Sequence, residues 1–430
     1  MKRLPVIAVL VSSLLDIAAL NVSVAKPATP SGLASAAHID KQRIDEAISG
    51  FVKSGALVGV SALVYQDGRE AYFGAFGLAD REANRPMARN TLVQIFSMTK
   101  PVTGVALMTL FDQGKFQLDD PVAKYLPEFA NLRVYVGKDA KGAPLYEAPH
   151  RAVTIRDLMR HTSGMVGNGD DPTPVGEMYR QADPDNFNNT LSEEVKRLGT
   201  VPLLYQPGTR WLYSPAVEVQ ALLIERLSGQ PFDKYLQQKI FDPLKMQDTR
   251  HVVRDADWKR MAALYARSDD GVMTRTPDDE AFKLNRKDWP LKPGSWGLTS
   301  TLDDYMRFAR MLLNYGELDG ARILKPATVR LMSSDAMPTE VTDISWLPSK
   351  GQVGFGNDFA VRISRPKTAA ESSGEIGEFF WDGAANTLFW VDPINQITAV
   401  LFTQYRPFGR VPLHKAFRDA VYHDDSSAAA

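Results

Sequence analysis

The sequence predicts an α+β protein whose antiparallel sheet is drawn from both ends of the chain, with a mainly helical segment inserted between them. Apolar residues recur with strand period after a first helix and again in the last third, whereas the middle shows helical period. A helical pattern also stands near each end of the sheet-forming region. We therefore expect residues 37–100 and 290–425 to form one discontinuous α/β sheet domain and residues 101–289 to form a mainly helical domain.

The N-terminal part supplies a helix and a hairpin. Apolar residues at helical spacing predict a helix over residues 39–52. Two β-rich segments follow at residues 57–65 and 70–76, and Asp67-Gly68 between them is a strong hairpin signal.

Three later helices begin with recognisable start signals. Thr154 followed by Asp157 is typical of a capping box. Ser214 and Pro215 predict the N-cap and the first residue of a helix that runs to residue 228. Thr301 is expected to cap another helix. The apolar stripe of that helix comprises Tyr305, Phe308, Met311 and Leu312.

The last third returns to strands and closes with a helix. Short apolar or aromatic runs predict strands at residues 378–381, 387–391 and 397–403, with a turn at Asp392-Pro393. A final helix is expected over residues 412–422. These strands would complete the sheet that the N-terminal hairpin begins.

Composition excludes several classes of protein. The chain has 430 residues, of which 44% are hydrophobic, and its net charge is −1. That length supports a large core, and the balanced charge argues against a nucleic-acid partner. Cysteine is absent, which excludes thiol nucleophiles, disulfides and cysteine metal sites.

The N-terminus predicts export. Lys2 and Arg3 precede a mostly apolar run over residues 4–20, and Ser23-Val24-Ala25 offers a cleavage site before residue 26. We expect a signal peptide over residues 1–25, a linker over 26–36 and a disordered tail over 426–430, hence a periplasmic or secreted bacterial protein. An uncleaved membrane anchor is the alternative, against which an aspartate inside the short apolar run counts.

Ser97 and Lys100 are the strongest candidates for chemistry. Residues at i and i+3 share one helix face, about 5–6 Å apart between Cβ atoms. A hydroxyl and a desolvated amine at that distance can act as nucleophile and base. The same spacing occurs at Ser23 and Ser364, but the first lies in the predicted leader and the second is separated from its lysine by a proline. The alternative role for Ser97 is an N-cap beside a solvated lysine.

Other hydrolytic motifs are absent from the sequence. There is no Gly-x-Ser-x-Gly elbow, no His-Glu-x-x-His zinc motif and no phosphate-binding glycine loop. His161 precedes a Thr-Ser-Gly turn after a helix, and we interpret it as structural rather than catalytic.

Five segments, in order along the chain, carry a resemblance to a known family. They are Ser97-Met98-Thr99-Lys100-Pro101, residues 154–165, Tyr213-Ser214-Pro215-Ala216, residues 296–301 and Trp381-Asp382-Gly383. Together they resemble the class C β-lactamase-like serine hydrolases, with family VIII carboxylesterases the nearest in appearance. The resemblance runs from about residue 39 to 406 and implies a β-lactamase/transpeptidase-like fold.

The resemblance also implies roles for individual residues. Ser97, Lys100 and Tyr213 would be catalytic, with Tyr213 moving protons between serine, lysine and leaving group. A tyrosinate ahead of a helix N-terminus and near Lys100 would be favoured electrostatically. The backbone N–H groups of Ser97 and Ala384 would form the oxyanion hole.

The third motif of the family departs from its usual form. Trp381, Asp382 and Gly383 would line the substrate site where relatives commonly carry a cation. Lys367-Thr368-Ala369 is the other candidate, but it lacks the glycine and leads into no strand. An uncharged Trp381 beside Asp382 should favour neutral acyl groups over anionic ones, unless an arginine elsewhere compensates.

These observations predict a serine carboxylesterase that hydrolyses short neutral esters through an acyl-enzyme on Ser97. A β-lactamase, a D-amino-acid peptidase or penicillin-binding protein, and an acyltransferase remain alternatives. A non-catalytic penicillin sensor is a further one, against which the presence of Ser97, Lys100 and Tyr213 together counts. The expected partner is a small-molecule ester, with no cofactor, no metal, no nucleic acid and no stable membrane insertion after processing; the oligomeric state stays open.

Overall fold

The computed structural model describes residues 39–341 and 353–422, which fall within one compact unit. The predicted signal peptide, linker and C-terminal tail lie outside the described residues, so they remain predictions. The strands, in chain order, are β1 (Gly59–Gln66), β2 (Arg69–Asp80), β3 (Arg85–Pro86), β4 (Val93–Gln94), β5 (Val134–Lys138), β6 (Pro144–Glu147), β7 (Tyr265–Arg267), β8 (Met273–Arg275), β9 (Thr299–Ser300), β10 (Glu317–Leu318), β11 (Ala321–Arg322), β12 (Val353–Phe355), β13 (Ala360–Arg362), β14 (Phe379–Gly383), β15 (Thr387–Asp392), β16 (Ile397–Phe402) and β17 (Tyr405–Arg406).

The α-helices occupy mainly the middle of the chain and its two ends. They are α1 (Lys41–Lys53), α2 (Thr99–Asp112), α3 (Ile155–Met159), α4 (Pro174–Ala182), α5 (Leu191–Leu198), α6 (Ala216–Ser228), α7 (Phe232–Leu236), α8 (Asp278–Ala281), α9 (Lys283–Arg286), α10 (Leu302–Leu313), α11 (Pro326–Met332) and α12 (Leu413–Tyr422). A π-helical turn, Gln237–Phe241, continues α7. Within the described ranges, none of these helices is long and apolar enough to span a bilayer.

The main sheet has eight strands in the order β12-β13-β14-β15-β16-β1-β2-β3. All its pairings are antiparallel, and the two ends of the chain meet where β1 pairs with β16, with Ser61 opposite Phe402. The predicted α+β fold with a sheet from both chain ends is therefore confirmed. The division into a sheet domain and a helical domain remains a prediction.

Helices cover both faces of the sheet. Consecutive strand residues point to opposite faces, so neighbours on one strand pack against different helices. Phe389 of β15 packs against Tyr305 of α10, with ring centroids 5.0 Å apart. Its neighbour Trp390 packs against Phe417 of α12 on the other face, at 5.2 Å. All six residues of β15 are buried as a result.

An ion cluster ties the last helix to the sheet. Arg362 of β13 and Arg418 of α12 both donate to Glu378, at 2.8 and 2.7 Å, and Tyr422 donates to the same carboxylate. The side chains of Glu378 and Arg362 are fully buried. Two cations around one carboxylate keep that buried charge compensated.

One local expectation was wrong, one alternative is excluded, and one feature was not predicted. Ser214 does not cap α6, because the helix begins at Ala216 with Pro215 at the N-cap position and no side-chain cap. Ser97 does not cap α2, since a short 3₁₀ turn, Phe96–Met98, separates it from the α-helix. The middle region also contains two small hairpins, β5–β6 and β7–β8, that its helical pattern did not indicate.

Candidate active site

A tight bend presents Ser97 at the start of α2. Phe96 adopts a positive φ of 46°, which turns the chain sharply between β4 and the helix. Ser97 follows on the 3₁₀ turn and is half-buried, whereas Lys100, one turn along, is only 5% exposed. Lys100 Nζ lies 3.3 Å from Ser97 Oγ. The structure thus brings the predicted nucleophile and base within hydrogen-bonding distance.

The surroundings of Lys100 favour its neutral form. Burial lowers the pKa of its ammonium to about 7, although Glu218, Asp358 and Asp382 act in the opposite direction. Its Nζ donates to the Ser295 carbonyl at 2.9 Å. An amine with a pKa near neutrality can accept a proton from a nearby hydroxyl at physiological pH.

Tyr213 lies against the same lysine. Lys100 Nζ is 4.5 Å from the centroid of the Tyr213 ring, and that ring lies 5.6 Å from the ring of Trp381. Burial raises the pKa of Tyr213 well above its usual value, although hydrogen bonds with Ser97 and Trp381 lower it. The expectation of a tyrosinate is therefore wrong: burial outweighs the electrostatic terms, and Tyr213 carries its proton.

Glu218 is a site residue that the sequence analysis missed. It lies on α6, is 2% exposed, and accepts from the backbone N–H groups of Gly294 (2.5 Å) and Ser295 (3.0 Å) and from the Ser295 hydroxyl. Burial raises the pKa of this carboxyl. Glu218 thus holds Ser295, whose carbonyl accepts the hydrogen bond from Lys100 Nζ. A lone acid between Val217 and Val219 on a buried helix was the signal that could have indicated it.

Two more buried groups surround the site. Asp358, in a left-handed conformation with φ 63°, accepts from Gln220 at 3.0 Å, and burial raises its pKa well above the usual range. His161 lies 4.9 Å from the Tyr213 ring, and burial lowers its pKa to about 3. His161 is therefore neutral and packs against Tyr213 as one of a cluster of rings.

The end of β14 runs beside the nucleophile segment. Trp381 is fully buried and meets Phe355 edge-on at 5.3 Å, and Asp382 is 2% exposed. A Cβ on Gly383 would stand 2.3 Å from the Ile95 carbonyl oxygen, so only glycine permits this approach. Ala384, the next residue, is partly exposed.

The alternative third motif, which begins at Lys367, lies on the surface. Lys367 is exposed in a loop between β13 and β14, where its backbone N–H donates to Glu371.

The described parts of the chain contain no cluster of acidic or histidine side chains with the geometry of a metal site.

The comparisons with known proteins agree with this architecture. A family model named Beta-lactamase matches residues 44–423. Protein Rv1367c of Mycobacterium tuberculosis is 34% identical over 366 residues, which cover 82% of this chain and 87% of that protein. Esterase EstB of Burkholderia gladioli is 29% identical, over 88% of this chain and 94% of the esterase.

A solved structure extends the likeness to three dimensions. EstCE1, described as a hydrolase with promiscuous acyltransferase activity, superposes with a TM-score of 0.71 at 25% identity, covering 89% of this chain and 98% of that one. The family model spans nearly the whole described chain, and the order of its elements matches a β-lactamase/transpeptidase-like fold. This chain belongs to the Beta-lactamase family and is a serine hydrolase of that superfamily.

Proposed function

We propose that this protein is a serine carboxylesterase that cleaves short esters whose acyl group is neutral. The observation that supports the proposal most is the cluster of Ser97, Lys100 and Tyr213 around one hydroxyl, in which burial lowers the pKa of Lys100 to about 7 and raises the pKa of Tyr213. Such a cluster contains a nucleophile, a base and a proton donor within contact of one another. The esterase activity named for EstB and the hydrolase activity named for EstCE1 are in keeping with it.

In the acylation step, Ser97 Oγ attacks the ester carbonyl carbon while Lys100 Nζ takes the hydroxyl proton. The carbonyl oxygen becomes an oxyanion, held by the backbone N–H groups of Ser97 and Ala384. When the C–O bond breaks, Tyr213 gives its proton to the departing alkoxide and regains one from the Lys100 ammonium. These transfers leave Lys100 and Tyr213 as they began and leave an ester on Ser97.

Deacylation repeats the same steps with water as the nucleophile. Lys100 accepts a proton from the attacking water. When the second tetrahedral intermediate collapses, its C–O bond to Ser97 breaks, Tyr213 protonates Ser97 Oγ and regains a proton from the Lys100 ammonium, and the acid is released. If an alcohol takes the place of water, the product is a new ester. The description of EstCE1 as a hydrolase with acyltransferase activity favours this transfer as a second candidate function.

The character of Trp381 supports esters over β-lactams. Its uncharged ring is buried against Tyr213, and Asp382 follows it. If Trp381 corresponds to the cationic residue of the family motif, as the resemblance implies, no cation attracts the carboxylate of a penicillin there and Asp382 adds negative charge. A carboxylate next to the reacting carbonyl would meet no compensating charge there.

A substrate panel tests the proposal. Hydrolysis of p-nitrophenyl acetate and butyrate, of nitrocefin and of a D-Ala-D-Ala peptide should be measured side by side, with Ser97→Ala as the blank. We expect kcat/KM to be highest for the p-nitrophenyl esters. Faster turnover of nitrocefin or of the peptide would replace the carboxylesterase with a β-lactamase or a peptidase.

A further inference from the structure

A cleft beside the nucleophile carries an excess of positive charge. It has a volume of about 760 Å³, and its walls include Phe96, the residue before Ser97, and Trp296, the residue after Ser295. The basic residues that line it are Arg267, Lys283, Arg406 and Arg410, against the acids Asp269 and Glu280. Cations therefore outnumber carboxylates four to two in a space next to the proposed catalytic serine.

Most of these cations are already engaged. Arg410 pairs with Asp269 at 3.2 Å. Arg267 donates to the carbonyls of Gly55 at 2.7 Å and Gly271 at 3.1 Å. Lys283 lies over the ring of Phe187 at 5.4 Å. Each of these three side chains therefore already has a partner within the protein.

Arg406 differs from the other three. Its guanidinium lies over the Phe96 ring, 5.8 Å from the centroid, and it forms no ion pair with any residue in ranges 39–341 and 353–422. The side chain is exposed, so its donors remain available to a group that enters from solvent. A guanidinium offers paired N–H groups that match the two oxygens of a carboxylate.

Arg406 adjoins the two segments that carry the proposed oxyanion hole. Arg406 pairs with Ala266 in the β17–β7 ladder, which fixes its position. The N–H of the preceding residue, Tyr405, donates to the Ala385 carbonyl at 3.3 Å, directly after Ala384. On the other side Arg406 contacts Phe96, directly before Ser97. A substrate bound at Ser97 and extending into the cleft would thus pass this guanidinium.

We propose that Arg406 binds a carboxylate at the far end of the substrate, so that the cleft takes esters with a remote carboxylate on the acyl chain or on the alcohol. This inference rests on the proposed ester hydrolysis at Ser97 and refines its substrate class. The group next to the reacting carbonyl stays neutral, in keeping with Trp381, while the charge lies at the other end.

Matched ester pairs measure the contribution of Arg406. On the acyl side, the mono-p-nitrophenyl esters of succinate, glutarate and adipate are compared with p-nitrophenyl butyrate, valerate and hexanoate. On the alcohol side, 4-(butyryloxy)benzoate is compared with phenyl butyrate. For each substrate the readout is the ratio of kcat/KM between wild type and Arg406→Gln.

We expect Arg406→Gln to lower kcat/KM about three- to fivefold for the carboxylate-bearing member of at least one pair, chiefly through KM, because an exposed charge-assisted contact is lost. Neutral esters should change less than about twofold. The difference should shrink at 0.5 M salt, since the site is exposed and screened. Arg406→Lys should recover part of the effect, and Arg410→Gln, which removes an arginine already paired with Asp269, is the matched control.

Equal losses on neutral and anionic esters, or no loss on either, would overturn the inference. The proposed function fails separately, if wild type hydrolyses none of the neutral esters. In that case calorimetric binding of monomethyl glutarate to the Ser97→Ala protein, with and without Arg406→Gln, still decides the inference: equal affinities refute it.

Discussion

Replacing Glu218 by glutamine should move the acid limb of the pH–rate profile to lower pH. Among the charged groups that raise the pKa of Lys100, Glu218 acts most strongly, ahead of Asp358 and Asp382. Its carboxylate stabilises the ammonium form of Lys100, so removing that charge favours the neutral amine. The pKa of Lys100 therefore falls in Glu218→Gln, and the base stays active in more acidic solution.

The size of the shift follows from the pKa of about 7 for Lys100 in the intact site. Below that pH the neutral fraction of wild type falls about tenfold per unit, so at pH 6 about one tenth of the enzyme has its base. Loss of an opposite charge at close range shifts a pKa by about 1 unit or more. With a pKa near 6, about half of Glu218→Gln would be active at pH 6, about a fivefold gain relative to its own plateau.

The measurement is kcat/KM for p-nitrophenyl butyrate between pH 5 and 9, each variant normalised to its plateau so that a weaker base or a shifted Ser295 does not enter. Glu194→Gln is the matched control: Glu194 is also a buried acid, burial and Glu218 raise its pKa well above the usual range, and it is not among the groups that act on Lys100. Its limb should stay at that of wild type. A Glu218→Gln limb that coincides with wild type would refute the electrostatic account of the base.

Three further predictions concern the nucleophile, the proton transfers and the fold. Ser97→Ala should reduce ester hydrolysis by several orders of magnitude, whereas Ser364→Ala, in the other Ser-x-x-Lys tetrapeptide, should stay near wild type in the same assay. Lys100→Ala and Tyr213→Phe should each cost about 10²-fold or more in kcat, but together far less than the product; a multiplicative double variant would contradict a shared proton path. Glu378→Gln should destabilise the protein by about 3–5 kcal/mol in urea unfolding, because it leaves two buried arginines without their carboxylate. Glu375→Gln, whose partner Arg365 is exposed, should change stability by less than about 1 kcal/mol.

Local sequence patterns predicted the features that depend on residues close together in the chain. The hairpin at Asp67-Gly68 joins β1 and β2, Thr154 forms a full capping box with Asp157, and Thr301 caps α10. The spacing of Ser97 and Lys100 likewise brings two side chains within 3.3 Å, because both lie on consecutive turns of one segment. Each of these depends on residues three or four positions apart, which a sequence displays directly.

Such patterns did not predict contacts between residues far apart in the sequence. Lys100 donates a hydrogen bond to the Ser295 carbonyl, 195 positions away, and the Ser295 hydroxyl donates in turn to Glu218. The protonation of Tyr213 also escaped prediction, because the burial that raises its pKa comes from rings of distant segments, among them Trp381 and His161. The sequence indicates the helix dipole that would lower the pKa of Tyr213, but it does not indicate the burial that raises this pKa by more.

The acidic groups around Lys100 and the basic residues that line the cleft lie in two different regions of the site. Around Lys100 the other ionisable groups are acids: Glu218, Asp358 and Asp382 all raise its pKa, although burial raises the pKa of Glu218 and of Asp358 and so opposes their charged forms. An anionic group close to the reacting carbonyl would lie among these buried acids and beside the uncharged Trp381. The residues that line the cleft beside Phe96 are mainly basic, with four basic residues against two acidic ones. A substrate with a neutral reacting end and a charged far end would fit both regions, because burial penalises charge in the first region while solvent and cations tolerate it in the second.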